Sequence, residues 1–228
     1  MSKEMLRHQS ELLNLDLVNQ SLYSVESNWA EINHLLEVKK IGKKDDFTTI
    51  VRERLVSGYE YLDELLLKNV EPFSPSSFSQ MLALNDRVHY GTDMGLRIEY
   101  SSAMKASSEQ FYKRIDPIAD WYTKHKKKGD HPYKLAAEVY VAIVGKPQLF
   151  VEGNHRTGNL IANWINMYYG LPPFVLSSDN AISYFAPSAE IKFFADKSTW
   201  RGKRNLPKYR NSFRNFWEGN VDDKFIQR

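Results

Sequence analysis

Gln148-Leu149-Phe150-Val151-Glu152-Gly153-Asn154-His155-Arg156-Thr157-Gly158-Asn159 is the segment on which this chain's reading turns. A glycine-containing turn here leads straight into a helix, expected to run from Arg156 to about Tyr169 and to close at Gly170 ahead of Pro172 and Pro173. A helix start exposes unpaired backbone N–H groups and the positive end of the helix dipole. Together these make an anion site suited to phosphate. Arg156 adds a planar fork that can grip phosphate with two hydrogen bonds. Glu152 can hold Mg²⁺ that bridges phosphate oxygens, and Asn154 can cap the helix or orient the loop. The plain alternative is a loop-to-helix junction with an N-cap and a surface ion pair, because short Gly-Asn loops are common.

Outward from that segment the pattern is helical. Apolar residues at helical spacing predict helices over residues 3–20 (Met5, Leu12, Val18), 27–39 (Trp29, Ile32, Leu36) and 46–68 (Ile50, Leu55, Tyr59, Leu62, Leu66). Pro72 and Pro75 break the pattern, and Ser76 or Ser77 can cap a short helix ending near Leu84. Residues 85–104 hold Gly91, Gly95 and the alternating run Leu96-Arg97-Ile98-Glu99-Tyr100, which predicts a small hairpin or extended flap. Helix returns over 107–125 and again from His131-Pro132 to about Val144. Two further helices are expected near 187–196 and 207–217, and there is no internal repeat. The fold expected is mainly α, one domain, with one small β-hairpin.

Composition narrows the function. The 228 residues are 42% hydrophobic and 26% charged, ordinary for a globular chain with one sizeable core. The absence of cysteine excludes disulfides, thiolate metal sites and cysteine nucleophiles. A formal charge of +3 argues weakly for nucleic acid at best. The basic stretches Lys124 to Lys128 and Arg201 to Arg214 read first as solvated helix ends, with an acidic partner as the alternative. No apolar run nears 18 residues and no signal peptide is evident, so a soluble, cytoplasmic protein without membrane contact is expected. A homo-oligomer is compatible with the sequence.

The quoted segment resembles the catalytic loop of the Fic (Fido) domain family, His-x-Phe-x-(Asp/Glu)-Gly-Asn-x-Arg-x-x-Arg between two helices. Phe150, Glu152, Gly153, Asn154 and Arg156 match it in type and spacing. The resemblance spans roughly residues 45–200. It divides the chain into an N-terminal helical region (1–45), a Fic-like core (46–200) and a C-terminal helical extension (201–228). It implies a Fic-type helical bundle with a small hairpin flap, and a protein adenylyltransferase activity (AMPylation). In such a reaction Mg-ATP is bound and AMP passes to a hydroxyl side chain of a target protein. By the same resemblance Phe150 anchors the loop, Glu152 binds Mg²⁺, the amides of Gly153, Asn154, His155 and Arg156 form the anion hole, and Arg156 contacts phosphate. The segment near 91–100 would be the flap that holds the target by strand addition.

Two positions depart from the family pattern. Gln148 stands where the family has its histidine base, and an amide has no useful basicity near neutral pH. Loss of a general base slows such a step about 10²–10⁴-fold. Asn159 stands where AMP-transferring members carry a second arginine, so the orientation of the nucleotide and the group transferred are open. His155 is either a displaced base or a solvent-facing loop histidine. The chain is then either a weak Fic-like nucleotidyltransferase or a catalytically dead pseudoenzyme, a nucleotide-binding or protein-interaction module. The resemblance also suggests a self-inhibitory glutamate, Glu26 in preference to Glu218, although an N-cap near Ser24 explains the first and a helix end at Gly219 the second.

Overall fold

The computed structural model describes residues 12–42 and 44–227. Eleven α-helices follow one another among them. They are α1 (Leu15–Ser27), α2 (Trp29–Val38), α3 (Thr49–Leu67), α4 (Phe78–Tyr90), α5 (Met94–Glu99), α6 (Ser101–Tyr112), α7 (Asp116–Lys127), α8 (Pro132–Val144), α9 (Asn154–Tyr168), α10 (Ala181–Phe194) and α11 (Trp200–Asn220). Among the described residues β-structure is limited to two isolated bridges, Leu13 with Ile226 and Lys146 with Asp196. The mainly α bundle expected from the periodicity is therefore found.

The bundle is built around α9. Every residue from Thr157 to Met167 is buried, which is the signature of a helix surrounded on all sides. It packs on α8, α3 and α4. Gly158 lets α8 approach: a Cβ there would lie 3.3 Å from the Tyr140 ring. Asn163, fully buried, donates to Phe174 O (2.7 Å) and accepts from Phe174 N (2.8 Å), pinning the irregular segment after α9 to its flank. α11 lies on α8 through the stacked rings of Tyr140 and Phe213, 3.9 Å between centroids. One hydrophobic cluster runs from Leu13 to Phe225, so the helices at both ends of the chain share a core with the middle. The ends also meet directly, through Asn14 N to Phe225 O (2.8 Å) and Gln227 N to Leu12 O (2.8 Å).

The hairpin expected over residues 91–100 is not formed. Gly91 ends α4 at φ +60°, and the Asp93 carboxylate then accepts from Gly95 N (2.8 Å) and Leu96 N (3.1 Å), starting α5. Five alternating residues define a strand only where a partner edge stands beside them, and none does; an aspartate N-cap decides the conformation instead. The helix expected over 107–125 is two, broken at Lys113 to Ile115 ahead of Pro117. The helices expected near 187–196 and 207–217 begin earlier, at Ala181 and Trp200, and carry Pro187 and Pro207 in their interiors. The expected helix over 3–20 falls partly outside the described residues; α1 occupies Leu15–Ser27. No described helix is long and apolar enough to cross a membrane.

Candidate functional site

The loop between α8 and α9 is held from inside. Phe150 is fully buried and stacks on Phe111 at 5.4 Å. Asn154 closes a reciprocal pair with Phe150, accepting from its N–H and donating to its carbonyl, both at 2.9 Å. Its side chain is thereby committed to shaping the loop. Gly153 turns the chain into α9 at φ +73°, the left-handed region that favours glycine. A Cβ at Gly153 would also fall 2.4 Å from His89 Nε2 and 3.0 Å from Asn85 Nδ2. Asn85, buried on α4, donates to Glu152 O (3.1 Å) and Thr157 Oγ1 (3.0 Å).

This scaffold leaves the loop's own donors free. The first helical bond of α9 is Thr157 N to Gly153 O, 2.9 Å. Among the described residues, the amides of Val151, Glu152, Gly153, Asn154, His155 and Arg156 donate to no protein acceptor. A run of unpaired amides at a helix N-terminus is what an anion needs.

A mouth of roughly 380 Å³ opens over those amides, lined by Gln148, Glu152 and Arg156 together with Asp45 and Lys192. A second cavity of roughly 270 Å³ shares Asp45, His155, Arg156 and Lys192 with it and runs to an apolar wall of Trp29, Phe47 and Phe185. Arg156 spends one N–H on Val88 O, 2.8 Å, and keeps the rest. Burial and then Arg54 pull its pKa down, opposed by Glu152 and Asp45. Arg54, on α3, places a second guanidinium behind the loop.

His155 is not a solvent-facing loop residue. It is the second residue of α9, and its Nδ1 lies 3.0 Å from Tyr140 Oη, in a network with Tyr184 and Ser188. Burial, then Lys192, Lys44 and Arg156, pull its pKa down to about 3. The ring is neutral at neutral pH, able to hydrogen-bond but poorly basic. Gln148 is tied into the scaffold too: its side-chain amide donates to Val144 O (3.1 Å), and its carbonyl accepts from Gln110 (3.2 Å) and Arg114.

Asn159 donates to Tyr59 Oη at 3.2 Å, while its Oδ1 is buried without a partner. Trp29 Nε1 is likewise a buried donor without a partner. Both residues line the same apolar cavity. Both atoms are sealed from solvent, so a ligand that offers a matching donor and acceptor, as a nucleobase does, meets them only once the lining side chains move apart.

Among the described residues no three His, Cys, Asp or Glu side chains gather as a metal cluster. Glu152, exposed at the mouth, is the residue that would hold a divalent ion here, and Asp45 lines the same mouth. Glu26 lies away from the loop: it accepts from Thr49 and from Arg52 Nε (2.6 Å), joining α1 to α3, and lines neither cavity. Glu218 pairs with Arg214 at 2.7 Å. Leu96 and Tyr100, from the expected flap, line a separate cavity of roughly 410 Å³ that reaches Glu152 and Val151 from the α4–α6 side.

Sequence reasoning missed Trp29, Lys44, Asp45, Asn85 and Lys192. Asn85 and His89 stand four apart on α4, a polar stripe that a helical plot of residues 78–90 exposes. Lys44 and Asp45 sit in an irregular linker whose Lys-Lys-Asp-Asp run carries no local signal.

No protein-family model matches this sequence, and no curated protein matches it. Among solved structures, a Fic domain containing signaling protein from Bacteroides thetaiotaomicron is similar in fold. The TM-score is 0.54 at 17% identity, with 95% of this chain and 86% of that chain covered. At that identity the likeness is one of fold, and the helical bundle described above is a Fic-type fold.

Proposed function

We propose that the chain is a Fic-like nucleotidyltransferase that binds Mg-ATP across the α8–α9 loop and passes AMP, or a related group, to a hydroxyl of a target protein. The observation that carries this reading is the row of six unpartnered amides facing a cavity beside Arg156. The phosphates lie on those amides, with Arg156 and Lys192 supplying charge. Glu152 would hold the Mg²⁺, whose chemistry there would be neutralisation of phosphate charge. The base enters the apolar cavity, and movement of the lining side chains gives it the buried Trp29 Nε1 and Asn159 Oδ1 as partners. Lys44 and Lys192 restore to that cavity the positive charge that Asn159 does not provide. A target meets the α5 edge through side chains, since that edge is helical and has no strand to extend.

The proton is the weak step. Gln148 cannot accept it, and His155, held near a pKa of about 3, is a poor substitute. That arrangement favours a second reading: a nucleotide-responsive interaction module in which chemistry is silent. The loop's own donors remain, so both readings require nucleotide binding.

Calorimetric titration with ATP and Mg²⁺ separates them from a plain structural junction. Wild type binds saturably, and Arg156→Ala weakens binding at least about tenfold, the loss of one charge-assisted contact. Transfer is then followed with ATP labelled at the α- or the γ-phosphate. Label reaching protein from either position supports the enzyme and tells which group moves. Binding without transfer, with transfer restored by Gln148→His, supports the silent module. Absence of saturable ATP binding in both forms removes both readings.

A further inference from the structure

A further cavity stands behind the loop, bounded by the α6–α7 junction, α7, α8, the linker before α11 and the middle of α11. It measures roughly 440 Å³, a size ordinary for small-ligand sites. Four cations line it, Lys113, Arg114, Lys197 and Arg210, against one carboxylate, Glu138. Glu138 is committed to Arg210 Nη1 at 3.1 Å. Arg210 Nε is buried without a partner. Lys197 spends one proton on Ala142 O and keeps two. Burial, then Arg114 and Arg210, pull the Lys197 pKa down to about 8, with Asp196 opposing. Asp196 does not line the cavity and accepts from Ser198 instead. Apart from Ser198, the remaining lining is apolar, with Trp121, Ile118 and Leu149 prominent.

Cations drawn together without matching carboxylates repel one another and lack partners for their donors. An anion supplies both charge and acceptors. We propose that this cavity binds a small organic anion, a carboxylate or phosphate ester carrying an apolar group, with Arg114, Lys197 and Arg210 on the charged end and Trp121 beside the apolar end. The site is separate from the nucleotide mouth and does not rest on that assignment, since the two share no lining residue.

Phenyl phosphate and benzoate are the probes, with inorganic phosphate as the anion lacking the apolar group. Each is titrated at millimolar concentrations into the full chain, and amide and indole N–H shifts are followed by NMR. The expected result is saturable shifts at the Trp121 indole and at residues 197–198, tighter for phenyl phosphate than for phosphate. Lys197→Met, which keeps the stem and removes the charge, weakens the fitted affinity about tenfold or more, as loss of a charge-assisted bond does. Ser198→Glu, at an exposed lining position, gives up the hydroxyl bond to Asp196, places a rival carboxylate at the entrance and weakens binding similarly. Shifts confined to residues 151–156, no saturable shift with any probe, or an affinity unaltered in both variants would overturn the site.

Discussion

His155 pairs a necessary position with an unfavourable charge state. Its ring is fixed on Tyr140 among Lys192, Lys44 and Arg156, and the folded chain refuses it a proton until about pH 3. The unfolded chain takes that proton near pH 6.5. Protons therefore favour unfolding between those limits: the contribution is whole above pH 6.5 and is lost as pH falls toward 3. At about 1.36 kcal/mol per unit, the loss between pH 7 and pH 5 is about 2 kcal/mol from this residue. Urea unfolding at both pH values should show wild type losing that much more than His155→Asn, which keeps a donor near Nδ1 without the titration. Equal losses in the two proteins would mean that the ring is free to charge. The same burial explains why the residue is a poor base, so stability and chemistry read the one environment. Sequence alone placed His155 in the loop but could not see Tyr140 fifteen positions upstream closing over it.

At the scale of elements, α9 carries the site and the fold together. Asn163, one turn beyond Asn159, satisfies both the N–H and the carbonyl of Phe174 from full burial. Asn163→Ala leaves those two groups unpaired in the interior, at about 1–3 kcal/mol for each orphaned group before any relaxation. Denaturant unfolding should show a loss of about 2–5 kcal/mol, and a loss under about 1 kcal/mol would mean that water or a rearranged backbone takes up the bonds. What the sequence made legible follows the same division. α3 was readable because its core face imposes a 3.6-residue period, whereas α9, buried all round, was bounded by its glycine turn and by Gly170 ahead of Pro172. α5 has no buried residue, so no such period marks it, and its alternating residues imitated a strand. α10 and α11 begin ahead of the spans expected for them and carry Pro187 and Pro207 inside, where proline is disfavoured and the local pattern is interrupted. Within the site, the loop was legible because a contiguous run of residues builds it. Its guarding side chains come from α2, the linker, α4 and α10, and only the folded chain brings those together.

For the whole molecule, the consequence is that the proposed nucleotide cavity is walled by both halves of the chain. Trp29 comes from α2, and Asn159 and His155 from α9, while Phe185 and Lys192 come from α10. A ligand there clamps the N-terminal helices to the core, so ATP with Mg²⁺ should slow amide exchange in α1 and α2 as well as at the loop. At a ligand concentration of about 100 Kd the stabilisation is about 2.7 kcal/mol, which for a chain of this length raises Tm by about 5–10 °C. The orphaned indole N–H of Trp29 makes that claim specific. Trp29→Phe removes a donor that no protein group uses, so the free protein should lose little stability through hydrogen bonding. If the donor serves the base, ATP affinity falls about tenfold and the thermal shift at the same ligand concentration falls to about half, while tripolyphosphate, which has no base, binds as before. Should ATP bind Trp29→Phe as tightly as wild type, the base does not lie in this cavity. The unpaired donor and acceptor would then be a burden the fold carries without a ligand to relieve it, and the phosphates alone would define the site.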